Sequence, residues 1–204
     1  MNDKQVEKKI LAAAKKIFTL KGKNGARMQE IADEAGVNKA LLHYYFRSKE
    51  KLFQRVFEDT IIELVKSIYI SSTTTQSFKE MLQIIIDKHI DFQKSSQNIL
   101  QFFLWEVRGD QDLIREYAQS VRESLGFYPY EIFVPRIEEA INKGEIRSVD
   151  PYQFIMNAIS LISFIFISLP LISSVSDLTE GQVNELIEKR KKEIFRLLWE
   201  DIKT

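Results

Sequence analysis

The sequence predicts an all-α protein, and three observations carry that prediction. Apolar residues recur at intervals of three and four over long stretches of the 204 residues, the period of an amphipathic helix. Only seven glycines and four prolines punctuate the chain, and no stretch alternates in the two-residue rhythm of a half-buried strand. With 45% apolar residues the chain can also fill a sizeable core.

The first helix is expected from about Asp3 to Leu20, with Val6, Ile10, Ala13, Ala14 and Ile17 on one face, lysines opposite and a stop at Gly22. Two short helices follow, from about Met28 to Ala35 and from Asn38 to Phe46. Ser48 then caps a longer helix toward Ile70, and the run Ser71-Ser-Thr-Thr-Thr75 breaks the pattern. Further helices are expected over 77–94, 98–107, 111–143 with a disturbance at Gly126 and Pro129, 151–169 ending at Pro170, and 179–202. Gly109, Gly144 and Gly181 mark turns, and no repeat or low-complexity tract is present.

Charge divides the chain unevenly. Basic and acidic residues balance at 29 each, yet residues 1–55 hold 13 Lys and Arg against 6 Asp and Glu, leaving 16 against 23 for the remainder. A basic end on an otherwise acidic chain is what gripping a polyanion through one end requires. The first residues, with Asp3, Lys4, Glu7, Lys8 and Lys9 among few apolar positions, lack the apolar segment of a secretion signal. The chain is therefore expected to begin here and to remain in the cytoplasm.

Absent residues remove whole classes of chemistry. No cysteine means no disulfide, no thiolate zinc site and no cysteine nucleophile. His43 and His89 are the only histidines, and neither a glycine-rich phosphate loop nor a Gly-x-Ser-x-Gly elbow accompanies them. Asp87 and Asp91 lie two residues either side of His89, a spacing that points them away from it on a helix. No enzyme, metal site or cofactor is expected.

The strongest local signal lies in residues 28–46. A small Ala32, then Gly36 four later, then Leu42 six after that have the spacing of a helix-turn-helix. Ala32 lets the second helix cross closely, Gly36 takes the positive φ of the turn, and Leu42 plugs the angle between the helices. Ile31, Ala35, Val37 and Tyr45 extend that core. A second helix lying in the major groove would present its start and outward face to DNA, which nominates Asn38, Lys39, Ala40, His43 and Tyr44.

The stretch Gln29-Glu-Ile-Ala-Asp-Glu-Ala-Gly-Val-Asn-Lys-Ala-Leu-Leu-His-Tyr-Tyr-Phe-Arg-Ser-Lys-Glu-Lys-Leu52 resembles the signature of the tetracycline-repressor (TetR) family, and Gly144-Glu-Ile-Arg-Ser-Val-Asp-Pro151 is similar to a frequent late turn of the same family. The resemblance implies three N-terminal helices forming a helix-turn-helix domain, 1–50, on a larger helical ligand-binding and dimerisation domain, 51–204. It implies a transcriptional regulator, a repressor by precedent, that binds a palindromic operator in double-stranded DNA as a homodimer and is released by a small hydrophobic ligand. By the same resemblance Gln29 reaches a base and Lys49 meets a phosphate at a helix start, with Arg27 a further phosphate candidate. The family often carries Thr or Ser at the positions of Arg27 and Leu41, so hydroxyl contacts expected there are missing or replaced. Activation instead of repression, and control by a protein partner instead of a small ligand, stay open at the level of residues.

The run from Pro151 to Ser176 contains no charged residue and is long enough to span a bilayer. Ser160, Ser163, Ser168 and Asn157 interrupt it, Pro170 ends it, and Asp150 and Asp177 flank it in place of basic residues, so no membrane partner is expected. A helix apolar on every side is otherwise buried on every side. One face is expected to line a cavity and the other, with Ile159, Ile162 and Phe166, to meet a second subunit beside Val183, Ile187, Ile194 and Leu198 of the last helix. Aromatic residues concentrate between residues 92 and 133, and a pocket is expected from Phe92, Phe102, Phe103, Trp105, Phe127, Tyr128 and Phe133. Leu161 and Phe164 complete its wall, and His89, Gln93 and Asn157 supply polar groups to orient a lipophilic or aromatic ligand.

Overall fold

A computed structural model describes residues 3–73, 77–106 and 111–204, the side chains of 69–73, 96–106, 111 and 113 excepted. The described residues form α1 (Asp3–Gly25), α2 (Met28–Ala35), α3 (Lys39–Tyr45), α4 (Lys49–Thr73), α5 (Phe78–Glu106), α6 (Gln111–Leu125), α7 (Tyr130–Asn142), α8 (Pro151–Val175) and α9 (Glu180–Ile202). Among them the sole strand-like pairing is one antiparallel bridge between Ile146 and Lys203. The all-α expectation holds.

Four boundaries differ from the sequence expectation, each for a local reason. Gly22 breaks the helix where a stop was expected (φ 65°, ψ 174°), and a second short helical piece beyond this kink carries α1 to Gly25. The polar run around Ser95 does not divide α5, because serine lowers helix propensity by only a fraction of a kcal/mol. Gly126 (φ 84°) and Pro129 do divide the expected 111–143 segment, into α6 and α7. Pro170 does not end α8, which runs on to Val175. A proline removes one N–H and crowds one carbonyl, a cost of about 3 kcal/mol, and the apolar turn before it, with Ile165, Phe166 and Leu169 buried, holds the helix up to that point.

The chain packs as two compact units, residues 1–63 with 95–124, and residues 64–94 with 125–204. In the first, α1 turns Val6, Ile10, Ala13, Ala14, Ile17 and Phe18 inward against Ile31 and Ala32 of α2, Leu42 of α3 and Leu52, Phe53, Val56 and Phe57 of α4. Phe18 meets Phe53 edge-on at 5.0 Å and Phe57 meets Tyr117 of α6 at 5.3 Å. The buried Lys23 ammonium lies 5.8 Å from the Phe53 ring centroid, where the π face offsets part of its desolvation. In the second unit the inward faces of α5, α7, α8 and α9 share one core centred on Ile86, Ile90, Ile137, Ile162 and Ile194.

Caps fix the ends that matter. Asp150 accepts from the Gln153 N–H at 2.9 Å, and Thr179 with Gln182 closes a capping box at the start of α9. The Arg147 guanidinium reaches the Asp201 carbonyl and carboxylate, both at 2.7 Å, tying the turn before α8 to the end of α9. Glu145 accepts from the Phe78 N–H at 2.9 Å, anchoring the start of α5 in the same unit.

Candidate functional site

The turn between α2 and α3 places the first site. Gly36 lies in the left-handed region (φ 66°, ψ 36°); its N–H donates to the Asp33 carbonyl at 3.1 Å and the Val37 N–H to Ala32 at 3.0 Å. This pair of bonds is a Schellman closure, which needs the positive φ that glycine alone adopts freely. Ile31, Ala32 and Leu42 are fully buried at the crossing, and Ala35, Val37 and Tyr45 pack on them. The expected helix-turn-helix core is therefore assembled.

With that core inside, Lys39, Ala40, His43 and Tyr44 point to solvent at spacings of one, four and five residues, one face of α3. Tyr44 is 76% exposed, a level unusual for an aromatic side chain and one that leaves its ring free to meet a groove. The Tyr45 ring abuts it edge-on at 5.4 Å, while the Tyr45 hydroxyl donates to Asp3 at 3.1 Å. Arg27 and Gln29 are exposed at the start of α2, and Gln29 donates to Asp33 at 2.8 Å.

Two of the nominated residues have structural duties. Asn38 caps α3, its Oδ1 accepting from the Leu41 N–H at 2.7 Å, which leaves its amide N–H groups to donate to a base or phosphate. Lys49, at the start of α4, donates to the Ala26 carbonyl at 3.2 Å. Ser48 does cap α4, accepting from the Lys51 N–H at 3.2 Å. Sequence reasoning passed over Arg47, exposed in the turn between α3 and α4; its sign and position were the available signal.

The second site is a cavity of about 370 Å³ inside the second unit. Its wall comes from Leu64, Val65 and Ile68 of α4; Phe78, Met81, Leu82, Ile85 and His89 of α5; Pro129, Tyr130, Phe133 and Ile137; and Phe154, Ile155, Ala158, Ile159 and Ile162 of α8. Desolvation pushes the His89 imidazole down to a pKa of about 4, so the ring is neutral at physiological pH.

Of the expected pocket residues, His89 and Phe133 line this cavity. Phe92, Phe127, Tyr128, Asn157 and Leu161 do not: Asn157 is exposed, and Tyr128 stacks on Tyr130 at 5.5 Å. Gln93 is buried and donates to the Ser163 hydroxyl at 3.0 Å, binding α5 to α8 instead of facing the void. Phe164 is 64% exposed and lies in an open trough with Ile172, Leu186 and Lys189. The side chains of Phe102, Phe103 and Trp105 lie outside the described residues. Leu64, Val65, Ile68 and the start of α5 were missed because aliphatic positions carry no mark separating cavity wall from core.

The residues expected on a partner-facing stripe are also redistributed. Ile162, Phe166, Ile187, Ile194 and Leu198 are buried in the unit's own core, Val183 is half-buried beside it, and Ile159 lines the cavity. The physical reason is phase: α8 is apolar all round, so its sequence does not say which side meets which neighbour. Ile159 is also 47% exposed, and the further apolar residues left outward include Met156, Ile167, Leu171 and Val175, exposed by 54% or more. By length and composition α8 also passes as a bilayer span.

Residues 10–56 match the family model described as "Bacterial regulatory proteins, tetR family". The HTH-type transcriptional regulator RutR of Escherichia coli O157:H7 is 32% identical over 152 residues, 73% of this chain and 68% of that protein. Among solved structures, a putative transcriptional regulator from Saccharomonospora viridis in complex with choline superposes with a TM-score of 0.79 at 16% identity, covering 99% of this chain and 100% of its own. The transcriptional regulator FadR from Bacillus subtilis in complex with stearoyl-CoA does so with a TM-score of 0.68 at 20% identity, over 94% and 96%.

Proposed function

Because the chain belongs to the TetR family of regulatory proteins, we propose that it is a ligand-released repressor that grips a palindromic operator as a homodimer in the cytoplasm. Family membership already makes it a DNA-binding transcriptional regulator and not an enzyme. The observation that carries the proposal is the outward face of α3, where Lys39, His43 and the exposed Tyr44 stand on a buried Ala32–Leu42 crossing. Asn38, Lys39, Ala40, His43 and Tyr44 read the major groove, Gln29 assists from α2, and Arg27 and Lys49 hold phosphates. Lys49 exchanges its carbonyl partner for a phosphate on binding.

Division of labour follows: residues 1–50 read DNA, and residues 51–204 bind ligand and the second subunit. The exposed apolar residues of α8, with Leu197 of α9, form the interface between subunits, which removes them from water. Two α3 helices related by a two-fold axis then reach half-sites about one DNA turn apart.

The cavity takes a small hydrophobic ligand. Its volume of about 370 Å³ lies within the range of small-molecule sites, and fold neighbours hold choline and stearoyl-CoA. Coupling runs through α4, which packs Leu52, Phe53, Val56 and Phe57 in the core beside α3 and offers Leu64, Val65 and Ile68 to the cavity wall. A ligand that prefers the DNA-incompetent arrangement by a few kcal/mol empties the operator, and DNA opposes the ligand by the same amount. The test is fluorescence anisotropy on the promoter beside its own gene, with light scattering for the dimer. Independent binding of ligand and operator, or a monomer at micromolar concentration, overturns the proposal.

A further inference from the structure

The cavity's shape and charge say more about its ligand than hydrophobicity does. Along α5 its wall runs from Phe78 through Met81, Leu82 and Ile85 to His89, positions one turn apart on a single face and ~16 Å from end to end. Its volume of about 370 Å³ holds roughly a dozen water- or methylene-sized groups. A dozen groups set along a wall of that length suit an open chain.

Among the described residues the wall carries no Asp, Glu, Lys or Arg. A carboxylate or ammonium carried into it would lose its hydration with no opposite charge to replace it. Two wall residues carry hydrogen-bonding side chains, Tyr130, which is 44% exposed and stacked on Tyr128, and His89, which lies deeper. The His89 ring makes no hydrogen bond to any described residue, and burial, which keeps it neutral, is the one influence on its titration. A neutral imidazole offers one N–H donor and one bare nitrogen acceptor. Placed at the end of an apolar slot, it satisfies one hydroxyl or carbonyl and no more.

We propose that the cavity binds an uncharged, unbranched amphiphile of about ten to twelve non-hydrogen atoms, its one hydrogen-bonding end group set against His89. The inference rests on the ligand-binding reading above and narrows it to neutral alkyl alcohols, aldehydes or ketones.

The full-length protein is titrated at pH 7.5 with 1-hexanol, 1-octanol, 1-decanol, 1-dodecanol, decanoate and decyltrimethylammonium, by calorimetry and by release of operator DNA. The expected result is about fourfold tighter binding per added methylene, up to the length that fills the slot, and a flat or falling trend beyond it. Decanoate and decyltrimethylammonium are expected to bind at least tenfold more weakly than 1-decanol. In His89→Leu, melting at pH 7.5 is retained while 1-decanol weakens five- to tenfold. A charged amphiphile that binds as tightly as 1-decanol and releases DNA overturns this inference and leaves the ligand-released repressor standing. Absence of binding by every probe overturns both, and an unchanged alcohol affinity in His89→Leu overturns the placement of the end group.

Discussion

Lys39, Ala40, His43 and Tyr44 reach solvent from two turns of one short helix, whereas the cavity draws its wall from segments ranging from Leu64 to Ile162. The first site is written in neighbouring residues; the second exists only when distant helices pack. The two also differ in polarity. The reading face presents a cation, an imidazole and a phenol to water, and the cavity presents a neutral imidazole and the Tyr130 phenol on an otherwise apolar wall. The proposed roles follow that difference, a polyanion for the first site and an uncharged ligand for the second.

Removing the pivot of the local site should have the largest effect. Leu42 is fully buried where α2 and α3 cross, so Leu42→Ala leaves a cavity that the short helices cannot close. A loss of about 3 kcal/mol is expected in urea unfolding, with operator binding lost alongside. A change below about 1 kcal/mol would mean that α3 is held by something other than this crossing.

Next comes the pH response of the second site. His89 ionises near 6.5 when unfolded and about 4 when folded. The unfolded chain therefore takes up a proton that the native cavity refuses. Stability from this source is complete above pH 6.5, declines as pH falls, and by pH 4 is lower by about 3 kcal/mol. The measurement compares unfolding midpoints of wild type and His89→Leu at pH 7.5, 6, 5 and 4.5. Parallel curves for the two proteins would show that His89 is not buried as described.

The contrast between sites explains what was legible beforehand. Ala32, Gly36 and Leu42 announce their geometry because each is the residue type its position demands, and their spacing is fixed by one turn. Among the described residues the helices were nearly countable from periodicity, and the errors fell at Ser95 and Pro170, where a serine-rich run or a proline is locally unfavourable yet the helix continues. Among the described residues expected in the pocket, the cavity was legible at His89 and Phe133. Aromatic rings drew attention to Tyr128 and Phe164, which face elsewhere, while Ile85 and Ala158 looked like any core residue. Ile162 and Phe166 were assigned to a partner and belong to the core, since a helix apolar on all sides has no readable phase.

Independence of the two sites can be tested by a matched set of variants. Lys39→Ala and Tyr44→Ala should each weaken operator binding by about 1–2 kcal/mol in anisotropy titrations, with Lys39→Ala flattening the salt dependence by about one unit of slope. Neither should alter ligand affinity in the absence of DNA. Ala158→Leu, on the cavity wall, should do the reverse by narrowing the slot: ligand affinity falls at least tenfold and operator affinity is retained. Operator affinity unchanged in both α3 variants would remove the reading face from its assigned role.

The smallest effect isolates conformation from contact. A Cβ added at Gly36 meets nothing within 4 Å, so Gly36→Ala has no steric clash to blame. What it does have is a positive φ of 66°, which costs an alanine about 1 kcal/mol. Gly36→Asn should recover part of that loss, because asparagine enters the left-handed region more readily. Both are read as shifts in urea midpoint with unchanged slope. If alanine and asparagine destabilise equally, and by several kcal/mol, space at the turn and not backbone preference sets the α2–α3 angle, and the local site is less local than its sequence makes it look.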